Sequence, residues 1–376
     1  MKKVLILVNH EVVIYNFRKE LVERLLEEGK EVYISCPYGE RIDELREMGC
    51  KYIEASIERH GTNAVEELKL LLYYFKIMRQ IKPDVVLSYT IKPNIYGGMA
   101  SRFLRIPYIA NITGLGTAVE KKGLMQKISV ALYKIAFKKI NCVFFQNSEN
   151  QEFFSKKKIA LGRHRLIPGS GVNLRHFNEL EYPQDNTVEF IFISRIMKEK
   201  GIDQYLEAAE YIREKYSFTR FHILGFCEEA YEEKLESLEE RGIIEYHGMQ
   251  KDIRPFLEKT HCTIHPTYYP EGMSNVLLES AASGRPVITT NRSGCREIVD
   301  DGVTGFIVEQ RNSMDLIEKI ELFLNSTNEH KREMGLAGRM KVEKEFDRQI
   351  VVEAYMKEIV CNKERTKTLI SEMRNT

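Results

Sequence analysis

Glu271 and Glu279 lie eight residues apart around Gly272, Met273, Ser274 and Asn275, in the run His265-Pro-Thr-Tyr-Tyr-Pro-Glu-Gly-Met-Ser-Asn-Val-Leu-Leu-Glu279. The run reads as a strand ending near His265, a loop carrying Glu271 and Gly272, and a helix starting about Met273 or Ser274. Free amides at a helix start attract an anion, and a residue without a side chain lets a phosphate approach the backbone. Glu279, about a turn and a half into the helix, is placed to accept hydrogen bonds from ribose hydroxyls, and Glu271 at the mouth to meet sugar hydroxyls. Two glutamates at this spacing also suit a plainer arrangement, one capping a helix and one on a solvated face. The glycine and the strand–loop–helix context favour the chemical reading.

A second segment complements the first. Ser194-Arg195-Ile-Met-Lys-Glu-Lys200-Gly201 follows the strand-like Phe190–Ser194 and leads into a helical pattern over Ile202–Lys215. Arg195 and Lys200 would flank that loop. Fixed cations in a dry site stabilise a leaving diphosphate as its charge grows, by several kcal/mol. The bland alternative is a solvated basic loop. No Asp-x-Asp occurs, and no His/Cys set shows ligand spacing, so no metal and no other cofactor is expected. Cationic side chains and helix dipoles then carry the diphosphate charge.

These groups need a frame, and the chain supplies one. At 376 residues it is long enough for two domains. Strand-like runs at Val4–Val8, Glu31–Cys36, Tyr52–Ala55, Asp84–Ser88, Tyr108–Ile112 and Cys142–Gln146 alternate with amphipathic stretches such as Phe17–Glu28 and Val65–Ile81. Such alternation implies crossover units and a parallel sheet. After the turn-rich Pro168-Gly-Ser-Gly171-Val-Asn173 the pattern restarts, with strands at Phe190–Ser194, Phe221–Leu224, Ile243–Tyr246, Cys262–His265 and Pro286–Thr290. The expected fold is α/β, with two doubly wound parallel-sheet domains facing each other across a cleft. A dinucleotide-binding redox enzyme would carry G-x-G-x-x-G after the first strand. Asn9-His-Glu-Val-Val-Ile-Tyr-Asn16 holds no glycine there, which removes the main support for that chemistry.

Together, Ser194-Arg195…Lys200-Gly201, Glu271-Gly-Met-Ser-Asn-Val-Leu-Leu-Glu279, the linker Pro168–Asn173 and Gly302-Val-Thr-Gly305-Phe-Ile-Val308 resemble family 4 of the retaining glycosyltransferases. The resemblance covers nearly the whole chain. It implies two Rossmann-like domains: 1–168 for the acceptor and 172–348 for the nucleotide-sugar donor, with a last helix in about 350–376 returning to the first. It also implies that Arg195 and Lys200 hold the donor diphosphate and Glu279 the ribose. Glu271, Gly272, Met273, Ser274 and Asn275 would surround the sugar and β-phosphate, with Gly171 at the linker. An α-linked product formed without a metal ion would follow.

The first domain is less specific. Loops after its strands carry His10 and Asn16, Arg59 and Asn63, and Lys92 and Asn94, the last opening a helix near Gly97-Gly98. These segments resemble the branch that extends polyprenyl-diphosphate-linked saccharides for surface polysaccharide, and Lys92 and Arg59 suit an acceptor bearing phosphates. Helix caps and surface ion pairs account for the same residues equally simply. Some members carry a histidine after the fifth strand; Asn111-Ile-Thr-Gly114-Leu-Gly116 has none, so that role is not transferred to His10 or His60.

Charge is uneven: residues 1–180 hold 29 Lys+Arg against 19 Asp+Glu, and the rest 27 against 36. Lys121–Lys139 mixes lysines with Leu, Ile, Val and Phe, placing Lys127, Lys134 and Lys138 near one helical face. That pattern suits peripheral contact with an anionic membrane, and equally a packing helix with snorkelling lysines. Seven scattered cysteines, an odd number, fit reduced thiols in a cytoplasmic protein at the inner face of the membrane. Nucleic acid as partner finds no aromatic–basic motif in support. A sugar-nucleotide epimerase or phosphorylase, or a non-catalytic nucleotide-sugar binder, fits the same architecture with less support from these motifs.

Overall fold

A computed structural model describes residues 2–55, 63–116 and 123–360. It divides into two compact units, Met1–Ser170 with Arg348–Thr376, and Gly171–Asp347.

The first unit is built on seven parallel strands: β1 (Lys3–Leu7), β2 (Glu31–Cys36), β3 (Lys51–Glu54), β4 (Val85–Tyr89), β5 (Tyr108–Ile112), β6 (Cys142–Phe145) and β7 (His164–Leu166). Their order is β3-β2-β1-β4-β5-β6-β7. β1, β4, β5 and β6 are mostly apolar and buried along nearly their whole length, because helices cover both faces of a parallel sheet. Val4, Ile6, Val85 and Leu87 enter one core, and Leu5, Leu7, Val86 and Val143 the other. Residues 348–360 are helical and pack Val351, Val352, Tyr355, Met356 and Ile359 into the first of these cores.

The second unit repeats the plan with six parallel strands: β8 (Val188–Ile193), β9 (Thr219–Leu224), β10 (Glu245–Tyr246), β11 (Cys262–His265), β12 (Val287–Thr290) and β13 (Gly305–Val308). The order β10-β9-β8-β11-β12-β13 reproduces that of the first six strands in unit one. Both units are thus Rossmann-like, the fold class expected from the alternation. In each, the order reverses beside the first strand, between β1 and β4 and between β8 and β11. The carboxyl ends of such a pair form a ligand crevice.

Three details differ from expectation. Asn9–Arg18 is not a loop: a helix runs over Glu11–Glu27, opened by His10, whose Nδ1 accepts a hydrogen bond from the Val12 amide at 3.4 Å. Two strands were not anticipated. β7 is a three-residue edge strand of polar composition, too short to show alternation. β13 begins at Gly305, whose φ of +158° and close approach to β12 leave no room for a side chain: a Cβ would lie 2.0 Å from the Val287 carbonyl oxygen.

Candidate active site

β8 ends at Ile193 and β11 at His265, adjacent strands at the switch point of the second sheet. The loop after β8 closes in a single 3-10 turn, Lys198–Lys200, before the helix Ile202–Lys215. Gly201 makes the junction with φ +81°. A Cβ there would sit 2.1 Å from the Pro266 carbonyl oxygen, so only glycine permits this approach to the β11 loop. The Tyr268 amide donates to the Glu199 carbonyl at 2.9 Å, and the Thr267 hydroxyl to the same carbonyl at 3.3 Å. These contacts clamp the two loops together.

The clamp brings Lys200 against Glu271, and the Lys200 ammonium donates to Oε1 of Glu271 in a buried ion pair. Lys200 also lies over the Tyr269 ring at 4.8 Å from its centroid. Arg195 sits over the same ring at 5.4 Å and pairs with Glu228. Burial works to raise the Glu271 carboxyl, but the charges of Lys200, above all, and Arg195 outweigh it and hold the group below the usual carboxylate range.

His265 stands at the end of β11, fully enclosed. Burial first, and the charge of Lys200 second, push its imidazole down to about 3, with Glu271 opposing. The ring is therefore neutral at physiological pH, and neither ring nitrogen has a hydrogen-bond partner among the described residues. A buried imidazole without partners costs free energy, so its place beside the Lys200–Glu271 pair makes it part of the site's electrostatics. In the sequence His265 stands out only as a strand end, and neither Tyr269 nor Glu228 is singled out by a motif. A histidine closing an otherwise apolar central strand was the available signal.

The segment after Glu271 is held by the loop beyond β12. The Ser274 amide donates to the Gly294 carbonyl at 2.8 Å, and Glu297 accepts from the Gly294 amide at 2.7 Å and the Ser293 hydroxyl at 3.0 Å. Gly294 has φ +90°, and a Cβ on it would meet the Gly272 carbonyl oxygen at 2.7 Å. The helix itself is Asn275–Ala282 with Ser274 at its cap; the Ser274 hydroxyl makes no capping bond. Gly272, Met273 and Ser274 are buried, and the Asn275 side-chain oxygen is enclosed without a hydrogen-bond partner. Glu279 is half-buried in the helix, one turn beyond Asn275. Gly171, with φ +64°, is the first residue of the unit and is remote in sequence from these loops.

In the first unit, the residues expected to meet an acceptor take different places. Lys92 follows β4 and pairs with Glu67 at 2.8 Å. His10 and Asn63 are helix caps, Asn63 accepting from the Val65 amide at 3.0 Å, and His10 also lies 3.1 Å from Glu11. Asn16 is exposed on the helix Glu11–Glu27, where its carbonyl accepts from Arg348 at 2.9 Å. Asn94 is in a different position from that expected. It is 1% exposed, accepts from the Ser88 hydroxyl at 2.6 Å and donates to the Asn111 carbonyl at 2.9 Å. Its polar atoms brace a π-helical turn, Pro93–Gly97, so the expectation that it faces a ligand is corrected. Arg59, with His60, lies outside the described residues.

Two Rossmann-like units, the second with a cationic, acid-paired crevice at its switch point, make up the chain, and that two-unit fold is shared with known proteins. Residues 3–147 match the model for glycosyl transferase 4-like domains, and residues 176–341 that for glycosyl transferases group 1. A Campylobacter jejuni N,N'-diacetylbacillosaminyl-diphospho-undecaprenol alpha-1,3-N-acetylgalactosaminyltransferase is 27% identical over 92% of this chain and 94% of its own. An Escherichia coli UDP-Gal:alpha-D-GlcNAc-diphosphoundecaprenol alpha-1,3-galactosyltransferase is 23% identical over 70% of each. The crystal structure of Anabaena Alr3699/HepE in complex with UDP and glucose superposes with a TM-score of 0.75 at 15% identity, over 99% of this chain and 100% of that one. The chain belongs to the family 4 glycosyltransferases, with the two Rossmann-like domains of the GT-B fold.

Proposed function

We propose that this glycosyltransferase moves a hexosyl group from a uridine diphosphate sugar to a polyprenyl-diphosphate-linked saccharide in bacterial surface-glycan synthesis, with retention at the anomeric carbon and no metal ion in the transfer step. The observation that carries the reading is the convergence of Arg195, Lys200 and Glu271 on the carboxyl ends of β8 and β11. The names of the Campylobacter and Escherichia relatives support the acceptor class, and the second of these supports the uridine donor.

Each site residue has a physical part in this reading. An ammonium carries three donors, so Lys200 can keep Glu271 and still bind a phosphate oxygen. Arg195 offers its planar fork to the diphosphate. Gly272, Met273, Ser274 and Asn275 present backbone amides at a helix start, Glu279 accepts from the ribose, and Glu271 orients both Lys200 and a sugar hydroxyl. During transfer the bond from the anomeric carbon to the β-phosphate oxygen breaks. The acceptor hydroxyl oxygen bonds to that carbon from the same face, and its proton passes to the departing phosphate. Arg195 and Lys200 stabilise the charge that grows on the nucleoside diphosphate, which then leaves.

On the acceptor side, Lys92 after β4 and His10 after β1 flank the switch point of the first sheet and suit a phosphate-bearing acceptor. The helix Leu124–Ala136 buries Tyr133 and Ala136 but exposes Leu124, Ile128 and Ile135 beside Lys127, Lys134 and Lys138. Apolar and cationic side chains side by side suit the inner leaflet, where a polyprenyl acceptor resides. No helix among the described residues is long and apolar enough to cross a membrane.

A panel of nucleotide sugars tests the donor by thermal shift, because a ligand of the native state raises its melting temperature. The expected result is a rise with uridine diphosphate sugars alone, followed by EDTA-insensitive transfer to a polyprenyl-diphosphate saccharide and an α-linkage by NMR. Stabilisation by a different nucleotide, loss of transfer in EDTA or a β-linked product would each overturn the corresponding part.

A further inference from the structure

The second sheet assembles a group of ligands that sequence spacing does not show. Glu245 on β10 is the direct parallel partner of His222 on β9, and His247 lies two residues beyond Glu245. Strand periodicity puts residues two apart on one face, and the side chains meet accordingly. His222 Nδ1 is 3.0 Å from His247 Nε2 and 3.5 Å from Glu245 Oε2, and one ligand atom from each residue lies within 4.8 Å of the others. Donors bound to zinc at its usual bond lengths stand about 3.3 Å apart in a tetrahedral shell. The two separations from His222 Nδ1, 3.0 and 3.5 Å, bracket that value.

A second observation is independent of this spacing. His222 is 9% exposed, and its far nitrogen, Nε2, is buried, makes no hydrogen bond of good geometry, and lies 3.3 Å from Oε2 of Glu189. A histidine that binds a metal through one nitrogen commonly directs the other at a carboxylate, which fixes its tautomer and orientation. Glu189 occupies that position. Glu245 is 45% exposed, which leaves water access to complete the shell.

We propose that His222 (Nδ1), His247 (Nε2) and Glu245 bind one divalent transition-metal ion of the zinc type, with Glu189 orienting His222 and water in the fourth position. Two imidazoles and a carboxylate select such an ion over magnesium or calcium, which take oxygen shells. The site joins β10, a strand of only two residues, to β9, and its ligands come from neither the β8 loop nor the β11 loop. The ion would therefore hold a short strand in register and take no part in sugar transfer.

The test uses the full chain without an affinity tag, stripped with EDTA and titrated with cobalt(II) and zinc(II) against a chromophoric chelator. One equivalent of cobalt should bind with the visible absorption of a tetrahedral centre, zinc should displace it, and zinc should raise the melting temperature. Glu245→Gln and His247→Ala should each weaken binding by at least about 100-fold, with the circular dichroism of the metal-free protein unchanged. Absence of stoichiometric binding to the native chain would overturn the site. So would binding of equal strength in both variants, which would place the ion on others of the nine histidines.

Discussion

Lys200 and Glu271, 71 residues apart in the chain, form a buried ion pair that joins the loops following two adjacent parallel strands. The pair holds a cation where a diphosphate is proposed to lie, and the paired carboxylate keeps that cation oriented before any donor arrives. Preorganised charge of this kind needs no rearrangement when the leaving group develops its own.

Replacing Lys200 separates the two roles. Lys200→Ala should lower transfer by about 10²–10³-fold. It should also reduce stability by about 3–5 kcal/mol, because it strands a buried carboxylate. Lys200→Ala combined with Glu271→Ala should recover stability in urea unfolding without recovering transfer. If the double variant is as unstable as the single one, the pair is not what holds these loops.

His265 sets an acid limit. Its folded-state value is depressed from 6.5 to about 3, so between those values the unfolded chain binds a proton that the folded chain refuses. Its contribution is fully present above pH 6.5 and declines as pH falls towards 3. Glu271 acts in the same direction at lower pH, since its carboxyl is also depressed and its contribution is lost below about 4.5. Urea midpoints measured from pH 7 to pH 4 should fall steadily, and His265→Gln should flatten the upper part of that slope.

Gly201 is a backbone requirement. Gly201→Ala would place a methyl 2.1 Å from the Pro266 carbonyl oxygen at a positive φ. The loops must part to admit it, carrying Lys200 away from Glu271. A loss of at least about 2 kcal/mol is expected, read as a fall of roughly 4–8 °C in melting temperature for a unit of this size, together with weaker nucleotide-sugar binding.

The network around Asn94 separates bracing from binding. The Asn111 amide donates to the Tyr355 hydroxyl at 2.7 Å and Gln146 donates to the Asn111 side chain at 3.3 Å, tying the last described helix to the sheet. Asn94→Ala and Tyr355→Phe should each cost about 1–3 kcal/mol by leaving buried partners unmet. Lys92→Ala should raise the KM for a phosphate-bearing acceptor, and it should also cost stability, because it strands the largely enclosed Glu67 that Lys92 pairs with.

Membrane contact is tested by charge removal. Lys127→Gln, Lys134→Gln and Lys138→Gln together should weaken sedimentation with phosphatidylglycerol vesicles by about 100-fold, at about 1 kcal/mol per lysine. Binding of the native chain should fall with added salt. Equal vesicle binding by the triple variant and the native chain would remove the helix Leu124–Ala136 from the contact.

Much of the architecture was legible because parallel sheets covered on both faces leave apolar runs bounded by turn residues. Glu31–Cys36, Tyr108–Ile112, Cys262–His265 and the helix Ile202–Lys215 stand where periodicity puts them. β7 and β13 escaped because one is short and polar and the other is opened by a glycine. The loop motifs around Arg195 and Lys200 and around Glu271 and Glu279 were likewise visible, since a strand, a glycine and a helix start are local signals.

What local pattern cannot express is which loop meets which. β8 lies beside β11 through a crossover in strand order, and only that adjacency joins Lys200 to Glu271 and encloses His265 between charges. The same non-local pairing aligns Glu245 with His222, and packing density rather than sequence context put Asn94 inside. Local pattern along the chain was enough for the two Rossmann-like units and for the loop motifs that carry Arg195, Lys200, Glu271 and Glu279. Tertiary structure decided their partners, because a side chain's neighbours across a sheet are set by strand order and register, to which periodicity along the chain is blind.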